Sequence, residues 1–170
     1  MLKEGFLRAN LRLVKRSRAE GASCCAAATA VVIINGILTV GWCGDCRLYR
    51  LSSSGVVELL TTDHTRLAEL LKRGVVSVDE VDPSMRKSAL TKTLGDKEEV
   101  DCEFLESVKV TAGERYFLCS DGVSDHFSDS ELRSFLIDSL VSEDIAKLEE
   151  NCSQKLKLAD DDHTAIVIFI

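Results

Sequence analysis

The chain has 170 residues, and 45% of them are hydrophobic, which is enough apolar material for one core of ordinary domain size. Asp and Glu number 28 against 21 Lys and Arg, so the net charge of −7 argues against nucleic-acid backbones and anionic membrane surfaces as main partners. We therefore predict one domain over residues 1–170. The seven cysteines lie mostly in apolar runs, and the sequence shows no signal peptide and no membrane-spanning stretch. These features predict a reducing, cytoplasmic protein.

The first half of the chain predicts one helix and two β-hairpins. Apolar residues recur at helical spacing from Leu2 to about Ser17, a pattern typical of an amphipathic helix. Asn35-Gly36 separates two short apolar runs and is a strong signal for a tight hairpin turn. A second hairpin is expected over 47–60. Asp63 is the candidate cap of a helix over 65–73.

The second half predicts strands, then helices, then a closing strand. Two strands and two helices are expected there, over 102–110, 115–119, 128–140 and 142–158. Ser128 and Glu131 have the spacing of a capping box. The end, 164–170, is a nearly unbroken apolar run, as expected of a strand buried on both faces. Hairpins first and helices later favour an α+β sandwich of two antiparallel sheets flanked by helices over a doubly wound fold.

Aspartates stand where the apolar runs start or stop, and this placement predicts a metal site. Asp45 follows the first hairpin, Asp121 and Asp125 follow the strand over 115–119, and Asp161 precedes the last strand. If those two strands pair antiparallel, Asp121 meets Asp161. Carboxylates that close need a counter-charge, which Mg²⁺ or Mn²⁺ supplies while also activating a bound water. Ordinary turns are the alternative, because Asp-Gly and Asp-Asp pairs are common turn residues.

Six short motifs follow one another along the chain. They are Gly21-Ala-Ser-Cys-Cys-Ala, Gly41-Trp-Cys-Gly-Asp-Cys-Arg-Leu-Tyr-Arg50, Thr62-Asp-His64, Ala89-Leu-Thr-Lys-Thr-Leu-Gly95, Phe117-Leu-Cys-Ser-Asp-Gly-Val-Ser-Asp125 and Asp161-Asp-His-Thr-Ala165. Their order and content resemble those of the PPM (type 2C) metal-dependent Ser/Thr protein phosphatases, in the compact bacterial version. The resemblance extends over nearly the whole chain.

This resemblance implies a fold, a reaction and a set of ligands. The fold is a sandwich of two antiparallel sheets with helices outside, and the reaction is hydrolysis of phosphoserine or phosphothreonine by metal-activated water. Asp121 and Asp161 match the aspartates that bind the family's core metals, while Asp45 and Asp125 match those of an additional metal. The implied cofactor is Mn²⁺ or Mg²⁺, and the implied partners are phosphoprotein substrates or proteins of a Ser/Thr kinase pathway.

The chain departs from the family pattern at its start. The family's opening strands, which carry a metal-bridging Asp-Gly motif and a phosphate-binding Arg, should precede the first helix, whereas this sequence opens at that helix. We therefore expect impaired hydrolysis by the isolated chain, with a non-catalytic protein-binding module as the alternative function. An open sheet edge would also result, and it predicts a homodimer, a partner-dependent complex or aggregation in place of a stable monomer.

Three other positions differ from the usual family residues. Cys46, Lys92 and Asp162 stand where Ser, Arg and Asn are usual. Cys43 and Cys46 have the spacing of a zinc clip, but no second pair of that spacing accompanies them, so zinc is the weaker metal hypothesis.

Overall fold

The computed structural model describes residues 1–81, 89–141, 150, 153 and 162–170. In chain order its helices and strands are α1 (Leu2–Glu20), β1 (Ala28–Ile34), β2 (Ile37–Cys43), β3 (Arg47–Leu51), β4 (Val57–Leu59), α2 (Arg66–Lys72), β5 (Glu103–Lys109), β6 (Arg115–Cys119), α3 (Asp121–Ser124), α4 (Asp129–Val141) and β7 (Ala165–Phe169). They form two compact units, residues 1–46 with 62–109 and residues 47–61 with 110–170. The expectation of one domain stays a prediction.

Each unit contains one antiparallel sheet. The first sheet has the strand order β1-β2-β5, and the second has the order β4-β3-β6-β7. The predicted fold class, two antiparallel sheets with helices, is therefore confirmed. None of the helices within the described residues is long and apolar enough to span a membrane.

The first sheet starts with the hairpin that the sequence predicted. Asn35 and Gly36 have φ angles of 51° and 74°, so both lie in the left-handed region that a two-residue hairpin turn of type I′ requires. The turn pairs Ile34 with Ile37, and that register continues to the pair of Ala28 with Cys43. The last pair brings Cys43 to the same end of the sheet as the start of β5.

Helix α1 is amphipathic, as predicted, and it ends three residues later than expected. Gly21 follows it with a φ of 63°, the left-handed conformation that commonly terminates helices. Phe6 and Val14 are buried on one face. The Phe6 ring contacts Phe104 of β5 edge-on, with 5.6 Å between ring centroids. This contact lies among the apolar residues that form the core of the first unit.

Asn10 fastens α1 to the segment that precedes β5. It is 1% exposed, and both polar atoms of its side chain are hydrogen-bonded. Its Oδ1 accepts a hydrogen bond from the Gly95 backbone N–H at 2.8 Å, and its Nδ2 donates to the Lys97 and Glu98 carbonyl oxygens. Gly95 has a φ of 93°, and a Cβ there would lie 2.1 Å from the Cys24 carbonyl oxygen. The position therefore requires glycine.

The second unit is organised around β6, which lies between β3 and β7. One of its apolar clusters consists of Tyr49, Leu51, Val57, Phe117, Cys119, Val123, Phe127, Leu132 and Leu136. At the start of β6, Glu114 is 3% exposed and accepts hydrogen bonds from the Arg50 guanidinium, the Tyr116 hydroxyl and the Thr111 backbone N–H. Burial raises the pKa of Glu114, but these donors outweigh it, so the net pKa is lowered.

Several sequence predictions of local structure are confirmed. Helix α4 begins with the predicted capping box, in which the Ser128 N–H donates to the Glu131 carboxylate and the Glu131 N–H donates to the Ser128 hydroxyl. The second hairpin pairs β3 with β4. The helix expected over 142–158 lies outside the described residues, apart from residues 150 and 153.

Two predictions were wrong. The cap of α2 is Thr65, whose hydroxyl accepts from the Ala68 N–H, and not Asp63. The strand β7 is not buried on both faces, and among the described strands it lies at the edge of its sheet. Ile166 is 55% exposed and Phe169 is 40% exposed. An apolar run therefore did not distinguish a central strand from this edge strand.

Candidate metal centre

Asp121 lies where β6 passes directly into a short helix. Ser120 has extended backbone angles and precedes α3, and Asp121 is the first residue of that helix. One Asp121 carboxylate oxygen accepts a hydrogen bond from the Gly122 N–H at 2.9 Å. The side chain is partly exposed. Asp121 is thus held at the rim of the second sheet with its carboxylate oriented by the backbone.

The end of β6 and the start of β7 meet, as the sequence predicted. Cys119 pairs with Ala165. The Ser120 backbone N–H donates to the Thr164 carbonyl at 3.0 Å, and the Thr164 backbone N–H donates to the Ser120 hydroxyl at 3.1 Å. A Cβ on Gly122 would lie 2.2 Å from the Asp162 carbonyl oxygen, so only glycine fits there. The first turn of α3 therefore packs directly on the backbone that leads into β7.

Asp125 follows Asp121 by one helical turn. Its N–H donates to the Asp121 carbonyl at 2.8 Å, and it is partly exposed. Residues four apart lie on one side of a helical turn. Asp161, the other predicted ligand of this unit, lies outside the described residues.

Asp45 lies in the first unit, in the turn between β2 and β3. The turn is tight, because Gly44 has a φ of 103° and a Cβ there would lie 2.5 Å from the Ala27 Cβ. Asp45 is partly exposed, and the Cys46 carbonyl on its far side accepts a hydrogen bond from the Thr29 hydroxyl at 2.6 Å. The carboxylate therefore extends from a turn that is fixed on both sides.

The chemistry of these side chains fits a hard divalent cation. The three described candidates, Asp45, Asp121 and Asp125, are partly exposed carboxylates, which suits Mg²⁺ or Mn²⁺ with several retained waters. Nowhere in the described part of the chain do three or more His, Cys, Asp or Glu side chains form a metal-binding group. The described carboxylates alone thus make an incomplete set.

The cysteines offer poor ligands in comparison. Burial raises the pKa of both Cys43 and Cys102, and that of Cys102 reaches about 12. The two thiols, one at the end of β2 and one just before β5, contact each other and stay protonated at neutral pH. Since zinc is bound by thiolates, this environment does not support a zinc clip that uses Cys43.

A buried histidine lies behind the Asp45 turn, and the sequence analysis did not predict its role. His64 is 4% exposed, and its ring stacks on Trp42 with 6.2 Å between centroids and 13° between planes. The ring Nδ1 of His64 accepts a hydrogen bond from the Gly44 backbone N–H at 3.1 Å. The backbone N–H of His64 donates to the Gly44 carbonyl at 3.0 Å. The Thr-Asp-His motif was the one sequence signal that pointed to this residue.

Charged groups surround the other ring nitrogen of His64. Its Nε2 lies 3.2 Å from a Glu103 carboxylate oxygen, and the Lys92 ammonium lies 3.2 Å from both Glu103 and Asp101. Burial is the largest influence on the His64 pKa and lowers it, and Lys92 lowers it further, against the opposite effect of Glu103. The ring is therefore neutral at pH 7, which its acceptor role toward Gly44 also requires.

Sequence comparison relates the chain to bacterial phosphatases. No protein-family model matches it. Protein phosphatase PhpP of Streptococcus pneumoniae is 34% identical over 77 residues, which are 45% of this chain and 31% of that protein. The match thus spans less than half the length of this relative.

Comparison with solved structures gives the same result for nearly the whole chain. The PPM Ser-Thr phosphatase MsPP of Mycobacterium smegmatis, crystallised with cacodylate, superposes with a TM-score of 0.80 and 25% identity, over 99% of this chain and 72% of that one. The catalytic domain of the phosphatase PstP, solved with two manganese ions, gives a TM-score of 0.70 and 25% identity, over 93% and 64%. The predicted resemblance to PPM phosphatases is confirmed.

We predict that acid destabilises the first unit through His64. The unfolded chain protonates this histidine near pH 6.5, whereas the folded pKa is lower, so between the two values only the unfolded chain binds the proton. The stabilisation is complete above the unfolded pKa and is lost as pH falls toward the folded one. Urea unfolding followed by fluorescence of Trp42, the single tryptophan, should therefore give a lower free energy at about pH 5.5 than at about pH 7.5.

Two variants separate this effect from general acid destabilisation. His64→Asn removes the titrating ring and should flatten the pH dependence. His163→Asn removes an exposed histidine and should leave the dependence as in the wild type. Equal pH dependence in the wild type and His64→Asn would contradict the prediction.

Proposed function

We propose that this chain, which has the fold of the PPM phosphatases and is related in sequence to bacterial Ser/Thr protein phosphatases, is a metal-dependent phosphoprotein phosphatase domain. The observation that carries the proposal is the junction of β6 with β7. Cys119 pairs with Ala165 and α3 packs on the Asp162 backbone, so Asp121 is held beside Asp162, the residue that follows Asp161 in the sequence. Phosphoserine and phosphothreonine proteins are the proposed substrates.

The proposed ligands fall on both units. Asp121, Asp125 and Asp161 would bind metal on the second unit, and Asp45 on the first. When bound, Mn²⁺ or Mg²⁺ would supply positive charge for the phosphate and lower the pKa of a bound water. The chain's own residues contribute fixed carboxylates: Asp121 is oriented by the Gly122 N–H, and Asp45 extends from a turn anchored on both sides.

The identity of the metal, a kinase-pathway partner and a cytoplasmic location stay predictions. The non-catalytic protein-binding alternative has one supporting observation, namely that the described residues contain no group of three metal donors. Weak metal binding would follow from such a set, and slow hydrolysis would follow from weak metal binding.

Hydrolysis is the direct test of the proposal. With Mn²⁺, the chain should release phosphate from a phosphothreonine peptide and from p-nitrophenyl phosphate at a rate well below about 1 s⁻¹, because the ligand set is sparse. Asp121→Asn should abolish the Mn²⁺-dependent rate. The matched control is Asp138→Asn, which changes an exposed carboxylate of α4 in the same unit and should leave the rate unchanged.

The outcomes separate the two functions. Mn²⁺-dependent turnover that is lost in Asp121→Asn supports the phosphatase. No turnover with any divalent cation would favour the non-catalytic module. Turnover that survives in Asp121→Asn would show that the reaction does not use this site.

Metal affinity provides a second prediction. Calorimetry should show weak Mn²⁺ binding, with a Kd in roughly the millimolar range, as for hard-cation sites with few protein ligands. Asp121→Asn should raise the Kd by about tenfold, because it replaces a charged oxygen ligand with a neutral one. Asp138→Asn again serves as the control. Equal affinity in the wild type and Asp121→Asn would remove Asp121 from the ligand set.

A homodimer through an open sheet edge is the third prediction. Among the described strands β7 pairs with β6 alone, and it carries exposed Ile166 and Phe169 beside a free backbone edge. Such edges recruit further strands. Sedimentation at high micromolar concentration should show self-association, and Ile166→Lys should reduce it, whereas Val78→Lys, at an exposed site in the first unit, should not. A stable wild-type monomer would contradict this prediction.

A further inference from the structure

The turn that carries Asp45 is held by a residue twenty positions along the chain. Both backbone polar groups of Gly44 bond to His64: the Gly44 N–H donates to the imidazole Nδ1 at 3.1 Å, and the Gly44 carbonyl accepts from the His64 N–H at 3.0 Å. Asp45 is the next residue, so a single peptide unit separates its Cα from this pair of bonds. The position of Asp45 is thereby tied to His64.

His64 is itself fixed on every side. Its carbonyl accepts from the Thr91 N–H at 2.7 Å, and its ring stacks on Trp42. Trp42 in turn donates from its indole N–H to the Thr62 carbonyl at 2.9 Å, which anchors the segment just before His64. A ring held in this way has little freedom to rotate, so its Nδ1 stays directed at Gly44.

The remaining ring nitrogen selects the correct tautomer. Nδ1 can accept from Gly44 only if the ring proton is on Nε2, and Nε2 lies 3.2 Å from the Glu103 carboxylate. Lys92 in turn pairs with Glu103 and keeps that carboxylate charged. A carboxylate beside Nε2 favours the Nε2–H form, as in other carboxylate–histidine pairs.

We infer that His64 is a positioning residue for Asp45, acting through the two hydrogen bonds to Gly44, with Glu103 and Lys92 selecting its tautomer. The role of Asp45 as a metal ligand rests on the proposed function, whereas the positioning of the turn rests on the geometry alone. His64 touches neither substrate nor metal in this scheme. It fixes the backbone position from which the Asp45 side chain extends, as residues that hydrogen-bond to metal ligands or their backbone do in other metal sites.

The first test needs no variant. Nitrogen-15 NMR of the wild-type chain at about pH 7.5 reports the protonation of each imidazole nitrogen. We expect the Nε2–H tautomer for His64, with Nδ1 unprotonated. An Nδ1–H tautomer or a charged ring would overturn the inference, because neither can accept a hydrogen bond from Gly44. This measurement remains decisive if a variant fails to fold.

A matched pair of variants tests the hydrogen bond. His64→Asn places an amide oxygen near the position of Nδ1 and keeps the acceptor, whereas His64→Gln carries its amide one methylene further, near Nε2. The Gly44 amide should exchange with deuterium at least about tenfold faster in His64→Gln than in the wild type, which corresponds to one hydrogen bond of ordinary strength. In His64→Asn it should stay within about threefold of the wild type.

Exchange at Val40 of β2 and Phe117 of β6 reports whether each sheet is intact, since both residues are buried strand residues. Faster exchange at Gly44 alone, and only in His64→Gln, supports the inference. If the Gly44 amide exchanges equally slowly in both variants and the wild type, the inference is overturned. It is also overturned if Gly44 exchange accelerates equally in both variants while exchange at Val40 is unchanged.

Mn²⁺ titration then links the turn to metal and separates the two proposals. Paramagnetic broadening of the amides of residues 44–46 should be strong in the wild type, nearly absent in Asp45→Asn and reduced in His64→Gln. Unchanged broadening in Asp45→Asn would refute the ligand assignment in the proposed function, and the exchange data would still decide the positioning of the turn. Full broadening in His64→Gln with Gly44 exchange accelerated would overturn the positioning of Asp45.

Discussion

The arrangement of the second unit depends on the register in which β6 pairs with β7. Because Cys119 lies opposite Ala165, the last residue of β6 and the first residue of β7 lie at the same end of the second sheet. Ser120 and Thr164 then exchange two hydrogen bonds, and Gly122 packs on the Asp162 carbonyl with no room for a side chain. A shift of one residue would turn each β7 side chain to the opposite face and break both bonds. Asp121 owes its place to this register.

In the first unit, the candidate ligand Asp45 is positioned by hydrogen bonds and close packing around a turn, and not by the register of a strand pair. The backbone groups of this turn are bonded by residues distant in the sequence. Here Gly44 packs on Ala27, and the carbonyl after Asp45 accepts from Thr29. His64, which follows β3 and β4 in the sequence, bonds to both the N–H and the carbonyl of Gly44. A buried neutral imidazole is suited to this, because it offers an acceptor on one side and a donor on the other.

Buried polar residues mark the places where distant segments of each unit join. Asn10 connects α1 to the Gly95 loop, His64 connects two loops of the first unit, and Glu114 connects β3 with the start of β6. The buried side chains of Asn10 and Glu114 are hydrogen-bonded, and His64 bonds Gly44 through Nδ1 while its Nε2 lies 3.2 Å from the Glu103 carboxylate. Such bonds add directionality to apolar cores that would otherwise tolerate small shifts. The glycines at 44, 95 and 122 permit the close backbone approaches that accompany these junctions.

The sequence by itself determined the features that depend on neighbours along the chain. The Asn35-Gly36 hairpin, the amphipathic α1 and the capping box of α4 all follow from local spacing, and so do the aspartates at strand ends. Tertiary structure alone decided which sheet each strand joins: only five residues separate β5 from β6, yet β5 pairs with β2 and β6 with β3. It also placed β7 at the edge of its sheet among the described strands and buried His64 behind the Asp45 turn. Strand pairing and burial arise from contacts between residues that are distant in the sequence, and a local sequence pattern does not encode which distant residues meet.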